Sequence, residues 1–150
     1  MQTFLPYPDF EATARALDPR RLGKQRVEAL QCLRAQRVPG HGWRHHPAAK
    51  MWHGYEEALA AYGLAICRAW VALGHADTVA AKLVAELGSE PRTQDELRAA
   101  GALPPWLGDE AFHRSHRSAL VRKDPARYRP MFPDVPGDLP YVWPSAPPPP

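Results

Sequence analysis

Three clusters in this sequence have residue types and spacing suited to chemistry on a polyanion. The first is Arg20-Arg21-Leu22-Gly23-Lys24-Gln25-Arg26-Val27-Glu28, a run of cations closed by a carboxylate. The second is His41-Gly42-Trp43-Arg44-His45-His46-Pro47, followed by Lys50. The third is His113-Arg114-Ser115-His116-Arg117-Ser118-Ala119-Leu120-Val121-Arg122-Lys123, with Arg127 beyond it. Trp43, Trp52 and Tyr128 lie close to these clusters along the chain. Cations that neutralise phosphates, interleaved with rings that stack on an unpaired base, are what a protein handling nucleic acid needs. A solvated charged surface has the same composition. His113 and His116 share one helical face, and with His45 or His46 they offer nitrogen ligands to a metal. No cysteine or carboxylate completes such a set, so no metal is assigned. Neutral hydrogen-bonding groups in a polar cleft, or phosphate contacts, account better for these histidines. No Gly-rich phosphate loop, paired-cysteine zinc motif or nucleophile elbow is present, and no cofactor is implied.

The elements that must position these groups are helical. Asp18 caps the first helix of interest, and Pro19 fits its first position because a proline has no N–H to leave unpaired there. At 100° per residue, Leu22, Ala29, Leu30 and Leu33 form one apolar stripe, with Val27 at its edge. Lys24, Glu28 and Gln31 occupy the other face. Arg26 falls within the stripe, where a guanidinium must either be paired or open into a cleft. Asp9 caps a short helix through Leu17, and Pro6 and Pro8 keep the residues before it extended. Pro47 opens a helical pattern to about Leu73, with Gly54 and Gly63 as points of break or close packing. Asp77 caps a helix through Leu87, Thr93 and Glu96 form a capping box, and Asp109 caps a helix through Lys123. Trp106 is an anchor, and Tyr141 and Trp143 strap a Pro-rich C-terminal stretch to the body. The expectation is an all-α, single compact domain over 1–144 with a Pro-rich tail at 145–150. The segments carrying His45, His46, His113 and His116 are expected to face one cleft with the Arg26 helix. Activity should then respond to pH between about 5 and 8.

The composition narrows the partners. With 150 residues the chain is long enough for one real core. A net charge of +3 is too mild to establish nucleic-acid binding alone. Cys32 and Cys67 both fall in helical patterns and give no disulfide framework, which fits a cytoplasmic protein. No run of 18 apolar residues occurs, so no membrane partner is expected.

The order of blocks carries a resemblance. Arg20-Arg21-Leu22-Gly23-Lys24-Gln25-Arg26, then His46-Pro47 with Met51-Trp52-His53-Gly54-Tyr55-Glu56-Glu57-Ala58-Leu59, then Arg117-Ser118-Ala119-Leu120-Val121-Arg122-Lys123-Asp124-Pro125 with Tyr128, resembles the pyrimidine-dimer DNA glycosylases of the phage endonuclease V type, in a compact bacterial branch. The resemblance implies a single all-helical domain that removes a damaged base from DNA and can cut the strand afterwards. It implies attack by the chain's own terminal α-amine, here Met1, forming an imine with help from a Glu and Arg residues on the early helix. The helix Arg would be Arg26. The family's Glu directly follows its Arg, where this chain has Val27; Glu28 is one place further on, turned by about 100°. Gln2 is bulky, so Met1 is expected to be retained. An α-amine suits the role because such groups titrate near pH 8.

The catalytic candidates are therefore Met1, Arg26 and Glu28. The substrate-binding candidates are Arg21, Lys24, Arg44, His45, His46, His113, His116, Arg117, Lys123 and Tyr128. The implied partner is DNA, a duplex with a damaged or modified base; no feature fixes an oligomeric state. Two other readings remain: a nucleic-acid-binding module without catalysis, and a hydrolase or transferase acting on a modified nucleotide with histidines as acid and base.

Overall fold

Asp18 and Pro19 begin the helix on which the others pack. In the computed structural model, which describes residues 1–144, the Asp18 carboxylate accepts the Arg21 N–H, and the helix runs Pro19–Arg37. Eight helices are formed among the described residues: α1 Phe10–Ala16, α2 Pro19–Arg37, α3 Pro47–Lys50, α4 Glu56–Ala72, α5 Val79–Leu87, α6 Gln94–Ala99, α7 Glu110–Lys123 and α8 Pro125–Tyr128. No strand occurs among them, so the architecture is all-α. The Pro-rich tail at 145–150 lies outside the described residues.

The local signals explain most boundaries. Asp9 accepts the Ala12 N–H, and Asp109 the Ala111 N–H. Thr93 and Glu96 each satisfy the other's backbone N–H. The pattern from Pro47 to Leu73 is not one helix. Gly54 at φ +85° turns the chain between α3 and α4, a conformation that a side chain disfavours. At the start of α5, Asp77 accepts the N–H groups of Val79 and Ala80.

The helix α2 packs mainly against α4 and α5. Leu22, Ala29, Leu30 and Leu33 are buried there, whereas Val27 is exposed. Each fully buried leucine contributes about 1.5–3 kcal/mol of transfer free energy. Gly63 on α4 allows a close approach: a Cβ at this position would lie 2.7 Å from Leu83 Cδ1 and 3.2 Å from Ala29 Cβ. An aromatic group of Phe10, Trp52, Tyr62, Trp106 and Phe112 fills the other part of the core. Trp106 is anchored by its indole N–H donating to Met51 O at 2.9 Å.

The lead-in from Met1 to Leu5 runs inside this body. Thr3 and Leu5 are fully buried and Phe4 nearly so. An extended segment with no neighbouring strand must still satisfy its backbone donors and acceptors. Here side chains do so. Phe4 N–H donates to Gln25 Oε1 at 2.9 Å, and Leu5 N–H to His116 Nδ1 at 2.9 Å. Phe4 O accepts the Tyr62 hydroxyl at 2.7 Å, and Leu5 O lies 2.8 Å from His113 Nδ1. At the other end of the chain, residues 136–143 cross α7. Leu139 N–H donates to Ser118 Oγ, Val142 N–H donates to Ser115 Oγ, and Arg122 donates to Gly137 O. Ser115, Ser118 and Arg122 of the third cluster thus hold this strap.

Candidate active site

The N-terminal segment and the polar face of α2 enclose a cleft of about 350 Å³. Met1, Gln2, Arg20, Arg21, Lys24, Glu28, Lys123 and Tyr141 contribute to its walls. Of the candidate residues, it therefore brings together Met1, Arg21, Lys24, Glu28 and Lys123.

Glu28 is the one carboxylate on this lining, and it is only 9 % exposed. Its Oε2 accepts two hydrogen bonds, from Gln2 N–H at 3.3 Å and from Gln25 Nε2 at 2.8 Å. Its Oε1 has Lys24 Nζ at 4.0 Å. One oxygen thus fixes the N-terminal segment while the other stays available to the cleft. The Gln2 N–H follows the terminal residue directly, so this carboxylate anchors the segment one residue from its amine, and the two form no ion pair within 4.0 Å.

Two neighbours report the same arrangement. Met1 Sδ lies 3.4 Å from Cys32 Sγ. Burial, reinforced by the Glu28 charge, pushes the Cys32 thiol up to about 12, against the pull of the terminal ammonium. His46 is lowered from its ordinary value by burial and then by the ammonium, while Glu28 opposes the change. Amine, carboxylate, thiol and imidazole therefore occupy one neighbourhood. A terminal residue on a cleft wall that also carries a carboxylate and several cations offers an amine that can attack an electrophile carrying phosphates.

The remaining candidates lie elsewhere. Arg26 does not line the cleft. It forms an ion pair with Asp77, with both side chains largely buried, and its guanidinium carbon is 4.6 Å from the centre of the Trp70 ring. Burial alone would raise the Asp77 carboxyl, but the Ala80 N–H, Arg26 and the Val79 N–H outweigh it and hold it below its ordinary value. His113 and His116 are fully buried behind the N-terminal segment, where they hold Leu5. Burial, aided by the His113 charge, pushes His116 down to about 3, and burial lowers His113 as well. Neither is open to a phosphate, and His116, at about 3, takes up no proton between pH 5 and 8. A histidine acid–base mechanism loses these two groups.

Arg117 donates to Pro6 O and pairs with Glu110, so it too secures the N-terminal segment. Tyr128 is fully buried, and its hydroxyl donates to Asp18. Arg44 and His45 line a separate pocket. His46 accepts the Ala48 N–H and caps α3. The segments of His46 and His116 meet only indirectly: Trp143 lies 6.2 Å from His46 and 5.3 Å from Tyr141, which lies 5.6 Å from His116.

Gln2, Gln25, Arg20 and Tyr141 belong to this site without having been singled out for it. Arg20 had a signal, its place in the first cationic cluster. Gln25 had one in its position beside Glu28 on the helical wheel. Gln2 and Tyr141 had none, since their places depend on contacts across most of the chain.

A family model described as pyrimidine dimer DNA glycosylase matches residues 1–83, more than half of the chain. The matched part supplies the N-terminal segment and α2, while Lys123 and Tyr141 come from beyond it. No curated protein and no solved structure matches.

Proposed function

The chain belongs to the pyrimidine dimer DNA glycosylase family, and from that membership we propose that it removes a damaged or modified pyrimidine from DNA, with the Met1 α-amine as nucleophile and Glu28 as its carboxylate partner. The observation that carries this reading is the Gln2 N–H bond to Glu28, which fixes the terminal residue at the wall of a cationic cleft.

In this mechanism the neutral amine attacks C1′ of the deoxyribose. The N-glycosidic bond breaks and its electron pair leaves with the base, which takes up a proton. The nitrogen gives up its protons as the C1′–O4′ bond breaks and O4′ is protonated, leaving an open-chain imine, and in this reading Glu28 accepts one of the nitrogen's protons. Arg20, Arg21, Lys24 and Lys123 hold the flanking phosphates and stabilise negative charge. Tyr141 gives the cleft a flat wall. The imine acidifies the C2′ hydrogens, so loss of one proton expels the 3′ phosphate with its bonding pair and cuts the strand. Hydrolysis of the imine then restores the amine. The Met1 thioether against Cys32 gives the first residue a packed position, consistent with its retention.

Selective acetylation of the α-amine tests this reading. The acetylated protein should keep its helical signal and its affinity for damaged duplex, and release no base. Full base release after acetylation would exclude Met1. Binding without release by the unmodified protein would make the chain a nucleic-acid-binding module.

A further inference from the structure

A second cationic pocket, of about 240 Å³, lies where α2, α3 and the loop between them meet. Arg44, His45, Lys50 and His53 line it together with Ala35 and Gln36, and no carboxylate does. Arg44 and Lys50 are exposed and belong to none of the ion pairs among the described residues. Most other basic side chains near α2 are engaged: Arg21 with Asp18, Arg26 with Asp77, Arg34 with Glu86. The floor is fixed, because Gln36 donates from Nε2 to Ala49 O and its Oε1 lies 3.4 Å from His53 Nδ1.

This pocket shares a face of α2 with the candidate active site. Lys24, Glu28, Gln31 and Ala35 fall within about 60° of one another on the helix. Lys24 and Ala35 are separated by about 16 Å along the axis, which corresponds to about five base-pair steps of 3.4 Å. The connecting loop lines the second pocket and runs near the N-terminus. His46 feels the Met1 ammonium, while Arg44 and His45, two residues and one residue before it, line the second pocket.

We propose that the pocket of Arg44, His45, Lys50 and His53 is a second anion subsite that takes a backbone phosphate of the same DNA, several base pairs from the reacting nucleotide. The inference rests on the DNA reading above but not on the amine chemistry. It assigns the loop a part in setting the footprint and leaves the chemical step to the first cleft.

The test compares two double variants that lose the same formal charge: Arg44→Gln/Lys50→Gln in the pocket, and Lys82→Gln/Arg114→Gln on exposed positions outside both sites. Binding to a lesion-bearing duplex is followed by fluorescence anisotropy as salt is varied. Each lost phosphate contact should lower the slope of log affinity against log salt by about 0.9. The pocket variant should therefore show a slope smaller by about 1–2, and an affinity about tenfold weaker near 0.15 M salt. The control variant should match the unmodified protein. Base release at saturating DNA should be the same in all three. Trimming the duplex to fewer than about five base pairs on one flank should abolish the difference, by the spacing above.

Equal slopes for the pocket variant and the unmodified protein, or equal losses in both variants, would overturn the inference. If the unmodified protein binds DNA but releases no base, the chemical reading falls while the slope comparison still decides this one. If it does not bind DNA at any salt, both fall.

Discussion

The two faces of α2 carry charged residues two positions apart that have opposite fates. On one face Arg26 meets Asp77 and the ring of Trp70, and its charge is satisfied within the protein. On the other, Glu28 anchors the N-terminal segment through one oxygen and leaves the second in a cleft beside cations. The glycines show the same contrast. Gly23 lies under Trp70, where a Cβ would be 2.9 Å from the ring, and Gly63 lies under Leu83. The Arg26 face is thus filled to contact distance, and the Glu28 face is hollow. A charge on the apolar stripe is paired within the protein here, and the carboxylate that lines the cleft is on the opposite face, with Lys24 and Gln31.

Substituting Glu28 should give the largest effect. Glu28→Gln retains an oxygen for the Gln2 N–H but loses the proton acceptor and the negative charge. Base release in single-turnover assays should fall by about 100-fold or more, the range for losing a positioned acid–base group. Melting should change little. An unaltered rate would return Glu28 to a purely structural part.

Arg26 should respond in the opposite way. Arg26→Ala leaves the Asp77 carboxylate largely buried without its guanidinium, which costs about 3 kcal/mol. Urea titration should show that loss, while base release per folded molecule stays within about twofold, less than 0.5 kcal/mol. The pair also has a pH signature. Asp77 is held below its ordinary value of 3.8, so the stability it contributes is present above that value and lost as pH falls through the lower, folded value. Arg26→Ala should weaken this part of the acid response. A variant of normal stability and abolished base release would reverse the comparison.

The histidines behind the N-terminal segment should show themselves in stability. His116 titrates at about 3 in the fold against 6.5 ordinarily. Between those values the unfolded chain binds the proton and the folded chain does not, so stability should fall as pH drops from about 6.5 toward 3. One such group gives a slope of up to about 1.4 kcal/mol per pH unit. His116→Asn, which keeps an acceptor for Leu5 N–H, should flatten the dependence by about one proton. A pH dependence unchanged by this substitution would contradict a neutral, buried His116.

The smallest effect is expected at Gly63. Gly63→Ala adds a methyl group where Leu83 and Ala29 leave no room, and should cost about 1–2 kcal/mol, within the range for overpacking. Thermal melting should detect this, with base release intact. A neutral or stabilising substitution would show that the Arg26 face has slack.

How far the sequence revealed this arrangement depended on the range of the interaction. Asp18 with Pro19, Asp9, Asp109 and the Thr93–Glu96 box act within one helical turn, and each marks its helix correctly. The Gly54 break was visible only as a glycine in a periodic pattern, because the pattern before and after it shares one apolar phase. Arg26 was correctly located on the stripe, but its partner is 51 positions away and was legible only as a helix cap. The N-terminal segment was the least legible. It has no strand partner and no periodic signal, and its hydrogen bonds reach Gln25, Tyr62, His113 and His116 across 21 to 111 residues. The helical spacing placed both histidines on one face, yet only the fold shows that a buried backbone meets them there.

Reduction of the reaction mixture with borohydride tests the central claim most directly. If the Met1 amine forms an imine with the sugar, incubation with a pyrimidine-dimer duplex and borohydride should produce a stable protein–DNA adduct. Mass spectrometry of its peptides should place the sugar remnant on the Met1 α-nitrogen, and Glu28→Gln should slow its formation. Base release without any trapped adduct, or an adduct on a lysine such as Lys24, would contradict the account.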